Sequence, residues 1–152
     1  MKVRVEGLIA SCAHFVWLDG SFEAIHGHNF SISFEVAGSP KEDLSGDLSR
    51  IRAVARAVVD SIDHRLLVPL LNENVKVKRE GRYVEIGLPD RRIRLPETDV
   101  FLLEAGNTTA EELAVYLSNR LQKCLPNGVE VVSAMVEEEP GCVAVSQNRS
   151  AD

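Results

Sequence analysis

The strongest constraint on the fold is a period-two hydrophobic pattern in two stretches near the start of the chain, residues 2–10 and 28–37. Successive side chains of a β-strand point to opposite faces, so each stretch predicts a strand with one face against a core. A turn signal, Asp-Gly-Ser at residues 19–21, lies in the irregular segment between them. We therefore expect two antiparallel strands. The apolar positions that carry the pattern are Val3, Val5, Leu8, Phe30, Ile32, Phe34 and Val36.

Two amphipathic helices are predicted by apolar residues at helical spacing. The first covers residues 47–62, and either Asp47 or Ser49 can cap its start. The second covers about 109–123, where each threonine of the pair 108–109 stands three residues before a glutamate, as in a capping box. The apolar residues of the two stripes include Leu48, Ile51, Val58, Ile62, Leu113, Leu117 and Leu121.

The remaining segments predict a small β-hairpin insertion and a terminal hairpin. Residues 74–98 alternate between short apolar runs and turn signals, and a closing strand follows them. A Pro-Gly turn separates two further strands in 129–146. This order predicts one α+β domain over residues 1–146, with two helices on one face of an antiparallel sheet. Residues 147–152 carry no apolar anchor, so we expect a disordered tail.

Charge and hydropathy argue against several classes of partner. The chain of 152 residues has a formal net charge of −6, whereas nucleic-acid affinity comes largely from a basic face. No apolar run approaches the roughly 20 residues that span a bilayer, and the first residues do not resemble a secretory signal. We expect a cytoplasmic protein without nucleic-acid or membrane partners. Its three cysteines lack CxxC spacing, which suits neither a disulfide framework nor a zinc finger.

Three of the four histidines lie close together, as His14 and the His26-Gly-His28 pair. Residues i and i+2 of a strand share a face, so His26 and His28 can present two imidazoles while His14 approaches from the neighbouring strand. Catalytic zinc typically takes three protein ligands and keeps one position open. The sequence predicts such an open site, although a His-x-His pair alone fits a polar strand face equally well. A hydratase or an iron oxygenase could also use three histidines.

Two further pairs of acidic and histidine residues could move protons near such a site. Glu23 precedes His26 by three residues, so its carboxylate can overhang the open metal position, or it is simply a solvated loop acid. Asp63 and His64 follow the first helix and can form a proton relay. Helix C-termini also attract histidine through the helix dipole, so this dipeptide alone is weak evidence.

Glu138 is a candidate for ligand binding near the end of a strand. Val132, Ala134 and Val136 are expected to alternate inward, which puts Glu138 on the same face. One carboxylate can accept two hydrogen bonds from the adjacent N–H donors of a pterin or guanine ring. The alternative is that residues 137–139 form a solvated acidic turn.

Six motifs in register resemble the 6-pyruvoyltetrahydropterin synthase family, and they run from about residue 8 to residue 146. All four histidines fall on family positions. The motifs are AHF at 13–15, HGHNF at 26–30, GDL at 46–48, IDH at 62–64, NTTAEELA at 107–114 and EEPGCVA at 138–144.

The resemblance implies the tunnelling fold, in which a four-stranded antiparallel sheet carries two helices. It also implies a homo-oligomer, a trimer or a hexamer, with active sites between subunits and a small pterin substrate. The implied site residues are His14, His26 and His28 as zinc ligands, Asp63 and His64 as a proton relay, and Glu138, Thr108 and Thr109 as pterin contacts.

One departure from the family pattern points to a subgroup. Typical synthases have a catalytic cysteine four residues before the HGH motif, and that position is Phe22 here. Glu23 instead matches a subgroup with an ExxHGH motif. That subgroup converts 7,8-dihydroneopterin triphosphate to 6-hydroxymethyl-7,8-dihydropterin for folate synthesis, and this reaction is the expectation here. The alternatives are the 6-pyruvoyl- or 6-carboxytetrahydropterin synthase reaction on the same substrate, and a non-catalytic pterin or purine binding homologue.

Overall fold

The computed structural model describes residues 2–38 and 48–148, which form a six-stranded mixed sheet, a two-stranded hairpin, a three-stranded inserted sheet and two α-helices. In chain order the elements are β1 (Lys2–His14), β2 (Trp17–Leu18), β3 (Ser21–Phe22), β4 (His26–Gly38), α1 (Leu48–Asp60), β5 (Leu66–Pro69), β6 (Lys76–Glu80), β7 (Tyr83–Gly87), β8 (Arg92–Pro96), β9 (Val100–Leu103), α2 (Ala110–Cys124), β10 (Val129–Glu139) and β11 (Cys142–Gln147).

The main sheet has six strands in the order β11-β10-β4-β1-β5-β9. The first four are antiparallel, as the alternating patterns predict, while β5 is parallel to β1 and β9 is parallel to β5. The predicted α+β class is confirmed, but the predicted number of four strands is too small for this chain. Every residue of β5 is buried, so its sequence has no alternation that could reveal a strand.

Both helices lie on one face of the main sheet, as predicted, and cover the larger hydrophobic core. Thr109 caps α2, because its hydroxyl oxygen accepts a hydrogen bond from the Glu112 amide at 3.3 Å. Ser49 lies inside α1 rather than at its cap, and Asp47 lies outside the described residues. The buried helix residues include Ile51, Ala55, Val58, Val59, Leu113, Leu117 and Leu121.

The insertion is a three-stranded antiparallel sheet of β6, β7 and β8, one strand more than the predicted hairpin. Its apolar face closes a second hydrophobic core against the β2–β3 hairpin and strands β5 and β9. The insertion therefore packs on the segment that leads into the HGH motif. The buried residues of this core are Phe15, Phe22, Leu66, Val68, Val75, Val84, Ile86, Leu88 and Val100.

The predicted terminal hairpin is present, but two β-bulges interrupt β10. The first, between Val131 and Ser133, turns Val132 partly outward, so the prediction that Val132 faces inward is wrong. Strand β11 continues through Gln147, and the side chain of Asn148 donates to the Val131 carbonyl at 3.0 Å. The expected disordered tail is therefore wrong for residues 147 and 148, and residues 149–152 lie outside the described part.

Neither helix of the described chain is long and apolar enough to cross a membrane.

Candidate metal centre and active site

Three histidines and one glutamate converge at one end of the main sheet, from three neighbouring strands. His14 ends β1, and it pairs in register with His26, the first residue of β4. His28 follows on the same strand, and Glu138 comes from β10. One ligand atom from each of the four lies within 4.8 Å of the others. The structure thus brings together the three histidines that the spacing singled out, and this group could hold a metal ion.

The distances within the group suit a small divalent cation. The Nε2 atoms of His14 and His26 are 3.0 Å apart. One carboxylate oxygen of Glu138 lies 3.2 Å from Nε2 of His14 and 3.1 Å from Nε2 of His28. Zinc–nitrogen bonds of about 2.0–2.1 Å place tetrahedral ligands about 3.3 Å from one another. Small side-chain adjustments would therefore be enough to surround an ion.

Hydrogen bonds to backbone carbonyls orient two of the rings for metal binding. Nδ1 of His14 donates to the Thr108 carbonyl at 2.8 Å, and Nδ1 of His26 donates to the Ala24 carbonyl at 2.9 Å. A carbonyl can only accept, so each Nδ1 carries a proton, and Nε2 is the ring nitrogen that could bind a metal. The ring of His14 is 0% exposed, and burial is the main cause that lowers its pKa. A neutral His14 follows.

The donor set fits a metal on chemical grounds. Nε2 atoms of the imidazoles and a carboxylate oxygen converge within about 3 Å of one another, and a cation between them would satisfy all of their lone pairs. Three imidazoles are ligands that zinc prefers, and the carboxylate suits zinc as well. Glu138 brings a fourth possible ligand atom to the group, beyond the three histidines that the sequence predicts as ligands. Glu138 lies two residues after the buried Val136, on the inward face that the alternation predicts.

The loop before α2 supports the metal group through its backbone. The carbonyl of Thr108 holds His14, while its buried hydroxyl donates to the Phe15 carbonyl at 2.9 Å. Thr109 is occupied as the helix cap. The expected pterin contacts of these threonines stay predictions, and the buried position of the Thr108 hydroxyl does not favour one. Both residues serve the site by fixing the loop.

Asn107 is a positioning residue that the sequence patterns did not single out. Its Oδ1 accepts from the amides of Trp17 at 2.9 Å and of Thr108 at 3.0 Å, and its Nδ2 donates to the Trp17 carbonyl at 2.9 Å. The side chain therefore joins the β2–β3 hairpin to the loop that orients His14. Its place in the NTTAEELA motif was the available signal, but a contact with residue 17 is not visible in sequence.

Asp63 and His64 form a separate pair beside β1, outside the four-residue metal group. The Asp63 carboxylate accepts from the Ser11 amide at 2.8 Å and contacts Nδ1 of His64 at 2.9 Å. The Ser11 amide, followed by His64, holds the pKa of Asp63 below its usual value despite partial desolvation. An ionised Asp63 fixes the proton on Nδ1 of His64, which leaves Nε2 free to exchange a proton. The His64 side chain is 81% exposed.

His64 also has an unusual backbone conformation. Its φ angle is 59°, in the left-handed region that residues other than glycine avoid at a cost of about 1–2 kcal/mol. Its amide donates to the Ser11 carbonyl at 2.7 Å, which holds this conformation. The surrounding structure therefore maintains the orientation of an exposed histidine, as is common at functional positions.

The β2–β3 hairpin separates the side chains of Phe22 and Glu23. Phe22 is buried in the second core, with its ring centroid 5.3 Å from that of Phe15 and 4.7 Å from that of Trp17. Glu23 is exposed, and its amide donates to the Val16 carbonyl at 3.0 Å. The position that holds a cysteine in typical synthases is therefore part of the core. The carboxylate beside it is open to solvent, and it is not part of the metal group.

Comparison with known proteins gives a family for this architecture. The family model described as 6-pyruvoyl tetrahydropterin synthase matches residues 9–149. A Methanocaldococcus jannaschii protein, provisionally assigned as a 6-carboxy-5,6,7,8-tetrahydropterin synthase, is 29% identical over 123 residues, which are 80% of this chain and 76% of the relative. The dihydroneopterin monophosphate aldolase of Pyrococcus furiosus is 25% identical over 119 residues, which are 78% of this chain and 74% of the relative.

Solved structures share the fold over almost the whole length. The 6-pyruvoyl tetrahydropterin synthase of Plasmodium vivax superimposes with a TM-score of 0.84 at 22% identity, over 99% of this chain and 98% of that chain. The Plasmodium falciparum enzyme gives a TM-score of 0.82 at 24% identity, over 97% of each chain. These likenesses confirm the predicted tunnelling fold, and the family model covers most of the sequence. The chain therefore belongs to the 6-pyruvoyl tetrahydropterin synthase family.

Proposed function

We propose that this protein is a zinc-dependent lyase that converts 7,8-dihydroneopterin triphosphate to 6-hydroxymethyl-7,8-dihydropterin by cleaving the substrate side chain. The observation that carries the proposal is the arrangement of residues 22 and 23. Phe22 fills the second core where a thiol-dependent synthase needs its cysteine, and the neighbouring Glu23 presents an exposed carboxylate three residues before His26. A reaction that uses a carboxylate base fits this arrangement better than one that uses a thiolate.

The metal would be held by His14, His26 and His28. When bound, zinc supplies a Lewis acid that lowers the pKa of the hydroxyl groups on the substrate side chain. Glu138 is 29% exposed beside these rings, and its carboxylate would accept hydrogen bonds from the N–H groups of the pterin ring. This contact would orient the side chain of the substrate toward the histidines.

The proton steps assign separate work to Glu23 and His64. Glu23 would take the proton from the hydroxyl on the second side-chain carbon. The bond between the first and second side-chain carbons then breaks, the second carbon leaves as an aldehyde, and the electron pair passes to the first carbon and the electron-poor ring. His64, oriented by Asp63, would donate a proton to the first carbon, which yields the hydroxymethyl product.

Two relatives support glutamate-dependent aldol chemistry. The Pyrococcus furiosus relative is named an aldolase that acts on dihydroneopterin monophosphate. One solved Plasmodium vivax synthase is an alanine variant of a catalytic glutamate, so a carboxylate can serve as a catalytic residue in this fold. We extend both properties to this chain, with Glu23 as the glutamate.

The 6-carboxytetrahydropterin synthase reaction is the second candidate, because the provisional name of the Methanocaldococcus jannaschii relative favours it. Cys12, which lies on the same strand as His14, does not support it. The Cys12 thiol is buried and donates to the Ile62 carbonyl at 3.1 Å, and burial, with a smaller contribution from Asp63, raises its pKa to about 12. Such a thiol does not ionise near neutral pH. A non-catalytic binding protein is less consistent with four histidines on family positions and the Asp63–His64 pair.

We further propose a cytoplasmic trimer or hexamer with active sites between subunits. Strands β11 and β9 form the two edges of the main sheet, and an unpaired edge is a surface for pairing with another chain. Val143 and Val145 on β11 are exposed in the single chain, which adds apolar area at that edge.

The test is to incubate the zinc-loaded protein with dihydroneopterin triphosphate and, in parallel, with the monophosphate, and to separate the products by chromatography. We expect 6-hydroxymethyl-7,8-dihydropterin. A pyruvoyl or carboxy product as the sole outcome would overturn the proposal in favour of the second candidate. No product from either substrate would favour a binding protein.

A further inference from the structure

Arg91, in the turn between β7 and β8 of the inserted sheet, reaches the segment that carries Glu23. Its Nη1 donates to the Glu23 carbonyl at 3.0 Å, and its Nη2 donates to the Phe22 carbonyl at 2.9 Å. These residues are 68 and 69 positions away in the chain. A single guanidinium thus joins the insertion to the entry of the HGH motif.

The Arg91 side chain is itself held in place. Its Nε donates to one carboxylate oxygen of Asp90 at 3.1 Å, and its Nη2 donates to the other at 3.2 Å. The Leu88 amide donates to the Arg91 carbonyl at 2.9 Å and closes the turn. The Arg91 side chain is 28% exposed, so these bonds are partly shielded from water. Because the guanidinium is planar and its N–H groups are fixed relative to one another, it restricts the orientation of the two carbonyls that it contacts.

The two carbonyls that Arg91 contacts belong to the two peptide units on either side of the Glu23 Cα atom. Peptide units are planar, so the orientations of these two units determine φ and ψ of Glu23 and the direction of its Cα–Cβ bond, from which the side chain extends. Beneath them, the Phe22 ring packs in the second core with Val84 and Ile86 of the insertion. The insertion therefore restrains this short segment through both its side chain and its backbone.

We propose that Arg91 is a positioning residue that directs the Glu23 carboxylate, and that the inserted sheet contributes to the reaction through this contact. The inference rests on the proposed role of Glu23. A base must lie within hydrogen-bond reach of the proton that it takes, and a displacement of about 1 Å can reduce a rate about 100-fold. By holding the backbone of Glu23, Arg91 would keep the carboxylate within this distance of the reacting proton, although the Glu23 side chain is exposed to solvent.

The experiment compares Arg91→Ala and Arg91→Lys with the control Arg94→Ala. Arg94 lies on the same inserted sheet, where its guanidinium stands 4.3 Å from the centre of the Tyr83 ring, and it is exposed. For each protein we would measure zinc content, kcat, KM and the emission of Trp17, the only tryptophan in the chain. Trp17 reports on this segment because its ring packs against Phe22.

We expect Arg91→Ala to lower kcat about 10-fold to 100-fold, with KM and zinc content within about twofold of the parent. Arg91→Lys should recover part of the loss, because one ammonium group can contact a carbonyl but cannot bridge two. Trp17 emission should change in Arg91→Ala and stay unchanged in Arg94→Ala. In a Glu23→Gln background, Arg91→Ala should cause no further loss, since both changes would act on the same step.

The inference would be overturned if the losses in kcat were additive in the double variant. It would also be overturned if Arg91→Ala had the same kcat and the same Trp17 emission as Arg94→Ala. If Arg91→Ala does not fold, Arg91→Lys answers the same questions, and full activity with unchanged emission in that variant would count against the inference. A parent that forms a different pterin product would refute the proposed function. The emission comparison and the double variant, measured on that product, would still decide the role of Arg91.

Discussion

Replacing Glu23 by glutamine tests the proposed chemistry most directly, because the structure predicts a large effect on rate and almost none on stability. The side chain is exposed, and the hydrogen bonds that hold the residue use its backbone amide and carbonyl, which glutamine keeps. Exposed substitutions of this kind usually change the free energy of unfolding by less than about 0.5 kcal/mol. Loss of a positioned base lowers a rate by about 100-fold to 10,000-fold.

The assay for Glu23→Gln is the rate of 6-hydroxymethyl-7,8-dihydropterin formation, measured beside zinc content and urea unfolding. Glu73→Gln is the matched control, since Glu73 is also an exposed loop glutamate and lies outside the metal group. Adding Phe22→Cys to Glu23→Gln should not restore cleavage, because residue 22 faces the second core. A Glu23→Gln rate within about threefold of the parent would refute the role of Glu23 as the base.

Further predictions concern the metal, the pterin, pH and assembly. His26→Ala should lose zinc, measured by metal analysis, and remain folded because residue 26 is exposed at the start of its strand. Glu138→Gln should keep its zinc and raise the KM for the pterin about 10-fold or more, whereas loss of zinc would make Glu138 a metal ligand instead. The lowered pKa of Asp63 means that its ionised carboxylate stabilises the fold above the unfolded pKa of about 3.9, and that this contribution is lost as pH falls through the lower folded pKa. Asp63→Asn should therefore be less stable than the parent near neutral pH, with a difference that shrinks as the pH falls through the lowered folded pKa of Asp63, measured by urea unfolding of chelator-treated protein. Light scattering should show a trimer or hexamer, and an active monomer would contradict a site between subunits.

Local sequence patterns predicted the parts of the fold that depend on one element at a time. Alternation revealed β1 and β4, and the i, i+2 spacing placed His26 and His28 on one face. The buried strand β5 has no such pattern, so the parallel extension of the sheet was missed. Alternation also put Glu138 on the inward face of β10. Its contact with His14 and His28 depends on the strand order β10-β4-β1, which local patterns do not show.

The residues that orient the site were harder to predict, because their partners are distant in the chain. Asn107 and Arg91 act on backbone groups of residues 17, 22 and 23, and a backbone carbonyl has no sequence identity to recognise. Thr108 shows the converse difficulty. Its motif drew attention to the hydroxyl, whereas its carbonyl makes the contact with His14.

The pairing of His14 with His26 has a consequence for how the protein folds. The two residues face each other at the end of the β1–β4 ladder, so the ligands of one ion would come from both strands of a single pair. A slip of that pair by one residue would turn His26 and His28 to the opposite face of the sheet. Metal binding would then be lost together with the correct pairing. An ion bound during folding would therefore favour the native alignment of β1 and β4. At a metal concentration 100 times the dissociation constant, binding would stabilise that alignment by about 2.7 kcal/mol relative to any alignment that cannot bind the ion.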